Sequence, residues 1–271
     1  MGKLGLALAG GGARGAYQIG AWKALIELGI DKQIDAYSGA SVGSLNAVLF
    51  AMDDYQNAEE VWLSLQKDTL FSHEESILKR IFKEKLNILE KGIYNTNKLE
   101  ELMDEHIKFD KIKGKELYIS TTRVGDDHGT FFDLFKTNYQ HFFKKNSQID
   151  YLDARTLKEN TFKKIVLASC AIPVAFQPIT VNSQTYYDGG ILENAPVKPL
   201  VEAGCTQIIV LDLFRFDFQR KKNIEGVKII NVHPKHSLRG VLDFKNEYIQ
   251  RRFKMGYEDT INALKDFKKE S

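Results

Sequence analysis

Cysteine is scarce in this chain, and its scarcity excludes two kinds of stabilising element. Two cysteines, Cys170 and Cys205, are present among 271 residues. They have neither the spacing of zinc ligands nor the number that a disulfide framework requires. No other residues have the spacing of calcium or zinc ligands, so we expect no metal and no other cofactor. Few cysteines without a disulfide pattern are typical of a reducing compartment, and we expect a cytoplasmic protein.

Long apolar runs are also missing. The N-terminal run at residues 4–9 is interrupted by glycines at 10, 11 and 12. It is too short for the apolar region of a secretory signal, and no other run approaches the roughly 20 residues that a membrane-spanning helix needs. We therefore expect a protein without a membrane span.

An excess of either charge is absent as well. The chain has 38 basic and 36 acidic residues, a formal charge of +2, which does not indicate a nucleic-acid partner. Hydrophobic residues make up 43% of the sequence, enough for a substantial core. Since α/β folds of this length are often single units, we expect one domain over residues 1–271.

Gly39, Ser41 and Gly43 form a G-x-S-x-G pattern, the signature of a nucleophile elbow. Residues 34–38 predict a short buried strand before the serine, and residues 45–52 predict the apolar face of a helix after it. The serine would then lie on a sharp turn at a helix N-terminus, where backbone N–H groups favour developing negative charge. Ser41 is the candidate nucleophile, although so short a pattern also occurs in plain glycine-rich turns.

A second glycine-rich stretch follows the first predicted strand, and it has two interpretations. As G-x-G-x-x-G, its residues Gly10, Gly12 and Gly15 resemble a dinucleotide-binding fingerprint. Asp35 lies about 20 residues further on, where a ribose-binding acid is expected. However, that acid should end the second strand, whereas Asp35 precedes the serine elbow.

The alternative interpretation is an oxyanion hole. Backbone N–H groups of Gly10, Gly11 and Gly12 would face the anion that forms when Ser41 attacks a carbonyl. Adjacent parallel strands would bring this loop and the elbow to one edge of a sheet. Arg14 opposes the helix dipole in the first turn, so we expect it to bind a carboxylate of the protein or an anionic head group.

Four other segments are less specific. Residues 53–112 are polar and predicted to be helical, and their position after the elbow helix suggests a lid. The aromatic and lysine-rich residues 131–145 predict an inward-packed hairpin or a membrane contact. An amphipathic helix is predicted at about residues 243–269, packed on the sheet or attracted to anionic lipid. Residues 161–171 predict a further helix.

Asp188, Gly189 and Gly190 follow a predicted hairpin around residues 182–183. An aspartate at a strand end is a candidate base, although a solvated turn has the same composition. With an ordinary pKa of about 3.9 it would be a weak base at neutral pH. Either its surroundings raise that pKa, or the oxyanion hole supplies much of the catalysis. A helix with Pro196 near its first position is predicted to follow.

The three motifs, in this order, resemble the patatin-like phospholipase family, and residues 168–173 and 255–259 resemble further segments of it. The resemblance implies an α/β fold, a three-layer sandwich with a mixed, mostly parallel central sheet flanked by helices. It implies lipid acyl-ester hydrolysis of phospholipase A, lysophospholipase or carboxylesterase type by a Ser41–Asp188 dyad. The motif and substrate-binding residues would be Arg14, Gly15, Gly39, Gly43, Gly189 and Gly190.

Alternatives stay open at this point. Ser41, Asp188 and His233 stand in the chain order of an α/β-hydrolase triad, and residues 227–232 predict a strand that ends at the histidine. A dinucleotide-dependent enzyme and a catalytically silent lipid-binding module are the other classes. The expected partners are a lipid or acyl-ester substrate and a transient contact with a membrane surface, with no nucleic acid.

Overall fold

The structure is a computed structural model that describes residues 2–65, 97–124, 147–171, 178–215 and 224–269. The aromatic and lysine-rich residues 131–145 lie outside these ranges, as do residues 66–96 of the suggested lid and residues 172–173 of the fourth family-like segment.

The described part of the chain begins with alternating strands and helices, and its later parts contain consecutive helices and consecutive strands. The strands are β1 Lys3–Leu8, β2 Ile34–Ala40, β3 Glu116–Val124, β4 Ser147–Asp153, β5 Ile179–Val181, β6 Gln184–Asp188, β7 Cys205–Leu211 and β8 Lys228–Val232. The α-helices are α1 Ala16–Glu27, α2 Val42–Ala51, α3 Tyr55–Ser64, α4 Asn97–His106, α5 Phe109–Ile112, α6 Glu159–Ser169, α7 Lys198–Glu202 and α8 Asn246–Leu264.

One mixed sheet joins all eight strands of the described residues. Its path runs β5-β6-β3-β2-β1-β7-β8, and β4 also pairs with β3. The pairs from β3 through β2, β1 and β7 to β8 are parallel, whereas β4, β5 and β6 pair antiparallel. Parallel β1 and β2 end side by side, so the glycine loop and the serine elbow emerge at the same edge, as the sequence predicted.

Successive residues of the central strands face opposite sides of the sheet. Leu4, Leu6 and Leu8 of β1 belong to the larger apolar core, which α1, α2, α6 and α8 cover. Ala7 belongs to a smaller core with Leu200 of α7 on the other face. This arrangement confirms the three-layer α/β sandwich.

Three predicted helices have different boundaries in the structure. The helix predicted at residues 161–171 spans Glu159–Ser169. The helix expected near Pro196 begins at Lys198, so the proline in its first turn is Pro199. Pro196 precedes the helix, where its carbonyl accepts a hydrogen bond from the Ser38 hydroxyl at 2.6 Å. The C-terminal helix spans Asn246–Leu264 instead of about residues 243–269. It begins later because residues 238–243 form a loop whose carbonyls accept hydrogen bonds from Arg252, Ala13 and Arg14.

The crossing of α1 and α8 depends on two glycines. A methyl group built on Gly256 would overlap the carbonyl oxygen of Tyr17, and one built on Gly20 would overlap that of Phe253. The backbones of the two helices therefore touch at this point. No side chain fits between them without moving a helix.

We predict that Gly256→Ala destabilises the protein. Alanine favours a helix over glycine by about 1 kcal/mol. The overlap with the Tyr17 backbone outweighs that gain, because forced overpacking commonly costs about 1–3 kcal/mol or more. Urea unfolding should show a net loss of roughly 2 kcal/mol. Gln250→Ala, at an exposed position of the same helix, should change stability by at most about 0.5 kcal/mol. Equal stability of Gly256→Ala and the native protein would contradict the close crossing.

Candidate active site

The C-terminal ends of β2 and β6 meet beside β3, and this brings Ser41 and Asp188 together. β4 occupies one edge of β3, so β2 and β6 share the other edge. β2 runs parallel to β3 as far as the pair Ala40–Ser120, and β6 runs antiparallel as far as the pair Asp188–Thr121. Both strands thus end at consecutive residues of β3, and Ser41 directly follows β2.

Ser41 lies on a strained turn between β2 and α2. Its φ of 55° and ψ of −133° fall outside the regions that residues other than glycine usually adopt. Glycines on either side allow the backbone to approach itself, because a methyl group on Gly39 would overlap the Gly43 carbonyl. One on Gly43 would overlap the Leu8 carbonyl at the end of β1. This is the strand, turn and helix geometry that the G-x-S-x-G pattern predicts.

The Ser41 hydroxyl donates a hydrogen bond to the Asp188 carboxylate. Ser41 Oγ lies 2.6 Å from Asp188 Oδ2, and the Gly190 N–H donates to Asp188 Oδ1 at 2.7 Å. The serine is 6% exposed and the aspartate 4% exposed. Burial raises the pKa of Asp188 to about 7, although the hydrogen bonds from Ser41 and Gly190 oppose this rise. A carboxylate with such a pKa is matched to proton transfer at neutral pH.

The backbone of the elbow is held by Ser169, at the end of α6. Its buried hydroxyl accepts a hydrogen bond from the Ser41 N–H at 3.0 Å and donates to the Ser120 carbonyl at 2.6 Å. The Ser44 hydroxyl lies 2.7 Å from Ser169 Oγ. Sequence analysis included Ser169 in a family-like segment but assigned it no role, because its contacts join residues far apart in the chain.

The glycine loop lies against the nucleophile. A methyl carbon built on Gly10 would be 2.8 Å from Ser41 Cβ. The Gly10 N–H already donates to the Asn194 carbonyl at 3.0 Å, so this group is occupied within the protein. Among the described residues, no hydrogen bond uses the N–H groups of Gly11 or Gly12. Gly15, also in the motif, packs against Trp62.

Arg14 has a different partner from the expected carboxylate. Its Nε donates to the carbonyl of Arg239 at 2.7 Å, and its guanidinium lies 4.9 Å from the centre of the Phe214 ring. A carbonyl dipole and an aromatic face both accept a cation without neutralising it. Arg14 therefore keeps a positive charge beside the glycine loop.

Asp35 and His233, which support rival functions, lie away from this site. Asp35 is near the start of β2, where its carboxylate accepts hydrogen bonds from the Leu4 N–H and Lys269 Nζ. That is the end of the strand opposite to the glycine loop, so it does not fit a ribose-binding acid. His233 follows β8, which is three strands from β2. Three strand spacings are roughly 14 Å, too far for a hydrogen bond to Ser41.

The described ranges contain no group of three or more His, Cys, Asp or Glu residues placed to hold a metal ion. In the same ranges, no helix has the length and apolar character needed to cross a bilayer.

Cys170 and Cys205 are free thiols, and burial raises the pKa of Cys205 to about 11.

Comparison with known proteins gives matches of three kinds, to a family model, to related sequences and to solved structures. The Patatin-like phospholipase family model matches residues 6–201. Lysophospholipase NTE1 of Cryptococcus neoformans is 26% identical over 219 residues, which are 79% of this chain but 11% of that protein. Uncharacterized protein R571 of Acanthamoeba polyphaga mimivirus is 30% identical over 206 residues, 71% of this chain and 59% of that protein. The crystal structure of VipD from Legionella pneumophila covers 98% of this chain and 67% of its own, with 16% identity and a TM-score of 0.48.

We predict that Asp188→Asn stabilises the protein above neutral pH. The folded protein retains a proton on Asp188 up to pH about 7, whereas the unfolded chain loses it near pH 4. The stability contributed by the protonated group is therefore complete below pH 4 and is lost as pH rises through 7. Asparagine keeps the shape without the charge. The free energy of unfolding of the variant, relative to that of the native protein, should therefore increase as pH rises from 4 to 7. The difference should reach about 4 kcal/mol at pH 8.

Thermal and urea unfolding at pH 4, 6 and 8 measure this difference. Asp266→Asn, at an exposed position near the C-terminus, controls for the removal of one negative charge. A constant difference between Asp188→Asn and the native protein across this range would show that burial does not raise the pKa of Asp188.

Proposed function

Because this chain belongs to the patatin-like phospholipase family, we propose that it hydrolyses acyl esters of lipids, as a phospholipase A, lysophospholipase or carboxylesterase. The observation that carries the proposal is the hydrogen bond from Ser41 Oγ to the buried Asp188 carboxylate. The lysophospholipase names of the fungal relatives support a lipid ester as substrate. The two free cysteines support the cytoplasm as its compartment.

In the proposed first step, Asp188 accepts the hydroxyl proton of Ser41 while Oγ attacks the ester carbonyl carbon. The carbonyl π electrons move to oxygen, which becomes the oxyanion of a tetrahedral intermediate. The existing hydrogen bond fixes the direction of proton transfer without an intervening histidine. Since burial raises the pKa of Asp188 to about 7, the carboxylate is a stronger base than an ordinary aspartate, yet it remains substantially ionised at neutral pH.

The intermediate collapses when the carbon–oxygen bond to the leaving alcohol breaks. That alcohol takes the proton from Asp188, and the acyl group remains on Ser41. Water then attacks the acyl-enzyme, with Asp188 again accepting a proton. A second collapse returns the proton to Ser41 Oγ and releases the carboxylic acid. Atoms and charge balance over the cycle with no further reactant.

We assign the oxyanion hole to the N–H groups of Gly11 and Gly12. Their neighbour Gly10 helps differently, since its N–H holds the loop to Asn194 and its missing side chain leaves room for Ser41. The N-terminus of α2 adds partial positive charge at the same place. Each such donor is worth about 3 kcal/mol in related acyl-transfer sites.

A set of single substitutions tests the proposed roles. Reaction with a fluorophosphonate probe should label the native protein at Ser41, and Ser41→Ala should neither react nor hydrolyse a soluble chromogenic ester. Asp188→Asn should be nearly inactive, because an amide keeps the shape but cannot accept the proton. His233→Ala should retain most of its kcat. A folded but inactive His233→Ala variant would instead indicate a triad. Circular dichroism controls for folding.

The pH dependence of turnover provides a separate test. Proton transfer requires the ionised form of Asp188, so kcat/KM on a soluble ester should rise with pH, reach half its maximum near pH 7 and then level off. Below the midpoint it should fall about tenfold per pH unit. A profile that stays flat down to pH 5 would exclude Asp188 as the base with a raised pKa.

A further inference from the structure

Arg252 is a buried cation whose described hydrogen bonds all go to backbone carbonyls. It lies on α8 and is 1% exposed. Nε donates to Leu238 at 2.9 Å, Nη2 to Gly240 at 3.1 Å, and Nη1 to Asp243 at 2.6 Å and to Ala13 at 3.0 Å. Burial lowers the pKa of Arg252 to about 10, so the guanidinium stays charged at neutral pH.

Three of these carbonyls belong to residues 238–243, here called the support loop. Without the arginine, the buried Leu238 carbonyl would lose its donor at a cost of about 1–3 kcal/mol, and the part-buried Gly240 and Asp243 carbonyls would lose theirs at a smaller cost. The planar guanidinium presents several N–H groups in fixed directions, which suits a set of converging carbonyls. The Asp243 carboxylate closes the loop from the other side by accepting the Gly240 N–H at 3.1 Å.

The support loop in turn holds the glycine loop. The Val241 carbonyl accepts the Ala13 N–H at 2.7 Å, and the Arg239 carbonyl accepts Arg14 Nε at 2.7 Å. Gly12, with a φ of 54°, lies so close that a methyl group on it would overlap the Val241 carbonyl. Together with the hydrogen bond from Arg252 to the Ala13 carbonyl, these contacts hold residues 12–14 against the support loop.

We propose that Arg252 is a positioning residue for the oxyanion hole: through the support loop and the Ala13 carbonyl it orients the N–H groups of Gly11 and Gly12 toward the acyl carbonyl at Ser41. This inference rests on the proposed function. Arg252 and the support loop lie outside residues 6–201, the part matched by the family model. Oxyanion donors work because they are aimed before the reaction begins, and a displacement of about 1 Å can slow turnover 100-fold.

The test compares Arg252→Met and Arg252→Lys with Arg251→Met, which removes the exposed arginine beside it. The concentration of active sites is measured by complete titration with a fluorophosphonate. The rate of hydrolysis of a soluble ester is then divided by this concentration to give kcat per site. For Arg252→Met, kcat per site should fall about 10- to 100-fold, while KM changes less than about threefold. The midpoint of the pH profile should not move, because Asp188 is untouched. The kcat of Arg252→Lys should lie between those of Arg252→Met and the native protein. The kcat of Arg251→Met should match that of the native protein.

An inhibitor that forms an oxyanion provides a second readout. A trifluoromethyl ketone adds to Ser41 as a hemiketal anion, so its affinity should fall in parallel with kcat/KM in Arg252→Met. Binding of the neutral alcohol formed by reducing that ketone should be unchanged. A purely structural role predicts a lower melting temperature with native kcat per site and native ketone affinity, and that result would overturn the proposal.

Asp243→Ala keeps the proposal testable if the Arg252 variants do not fold. It loosens the support loop from its outer side and leaves Arg252 in place, so it should show the same pattern with a smaller fall in kcat. Native kcat and native ketone affinity in folded Asp243→Ala would also overturn the inference. Failure of the proposed function looks different, because the native protein itself would neither hydrolyse esters nor react with the fluorophosphonate.

Discussion

The contact between Ser41 and Asp188 depends on the register of two strands along one edge of β3. β2 must stop at Ser120 and β6 must stop at Thr121 for the two side chains to meet. A slip of one residue in either pairing would shift its strand by about 3.3 Å and reverse the face on which every side chain points. Packing opposes such a slip, because it would move Ala36 of β2 out of the smaller core or Tyr186 of β6 out of the larger core. The same core that stabilises the fold therefore determines the geometry of the site.

Burial gives the aspartate its basicity and also makes the site unfavourable for folding. Asp188 is nearly inaccessible, and its carboxylate receives hydrogen bonds from Ser41 and Gly190 but has no cation among its described hydrogen-bonding or ionic partners. Removal from water therefore dominates, and the pKa rises to about 7 instead of falling as it does in an ion pair. The strained φ of Ser41 adds a second unfavourable term at the same point. Both are sustained by packing elsewhere in the three layers.

Local patterns predicted much of this fold, and contacts between distant segments account for what they missed. Strands β1, β2 and β8 and the helices after the two glycine motifs follow from apolar periodicity and glycine placement, which are local. The partner of Gly10 is Asn194, that of the Ser41 N–H is Ser169, and that of Arg14 is Arg239. Each of these bonds joins segments more than a hundred residues apart. The residue types around the donor and the acceptor do not predict the pairing. Gly10 thus resembles an oxyanion donor in the sequence, although its N–H is occupied in the fold.

The glycine loop is held from both sides by parts of the chain that follow it. Asn194, just after the Asp188 motif, fixes the Gly10 end, and the support loop fixes residues 12–14. Arg252 can reach the Ala13 carbonyl only because α8 lies directly on α1, where Gly20 and Gly256 allow the two backbones to touch. Residues 252 and 256 are four apart, so they share one face of α8. The distance between α8 and α1 at Gly256 therefore also determines how far Arg252 extends toward the Ala13 carbonyl. Under the proposed role of Arg252, the crossing of α1 and α8 sets the position of the groups proposed to stabilise the oxyanion, so that α8 would serve the active site as well as the core.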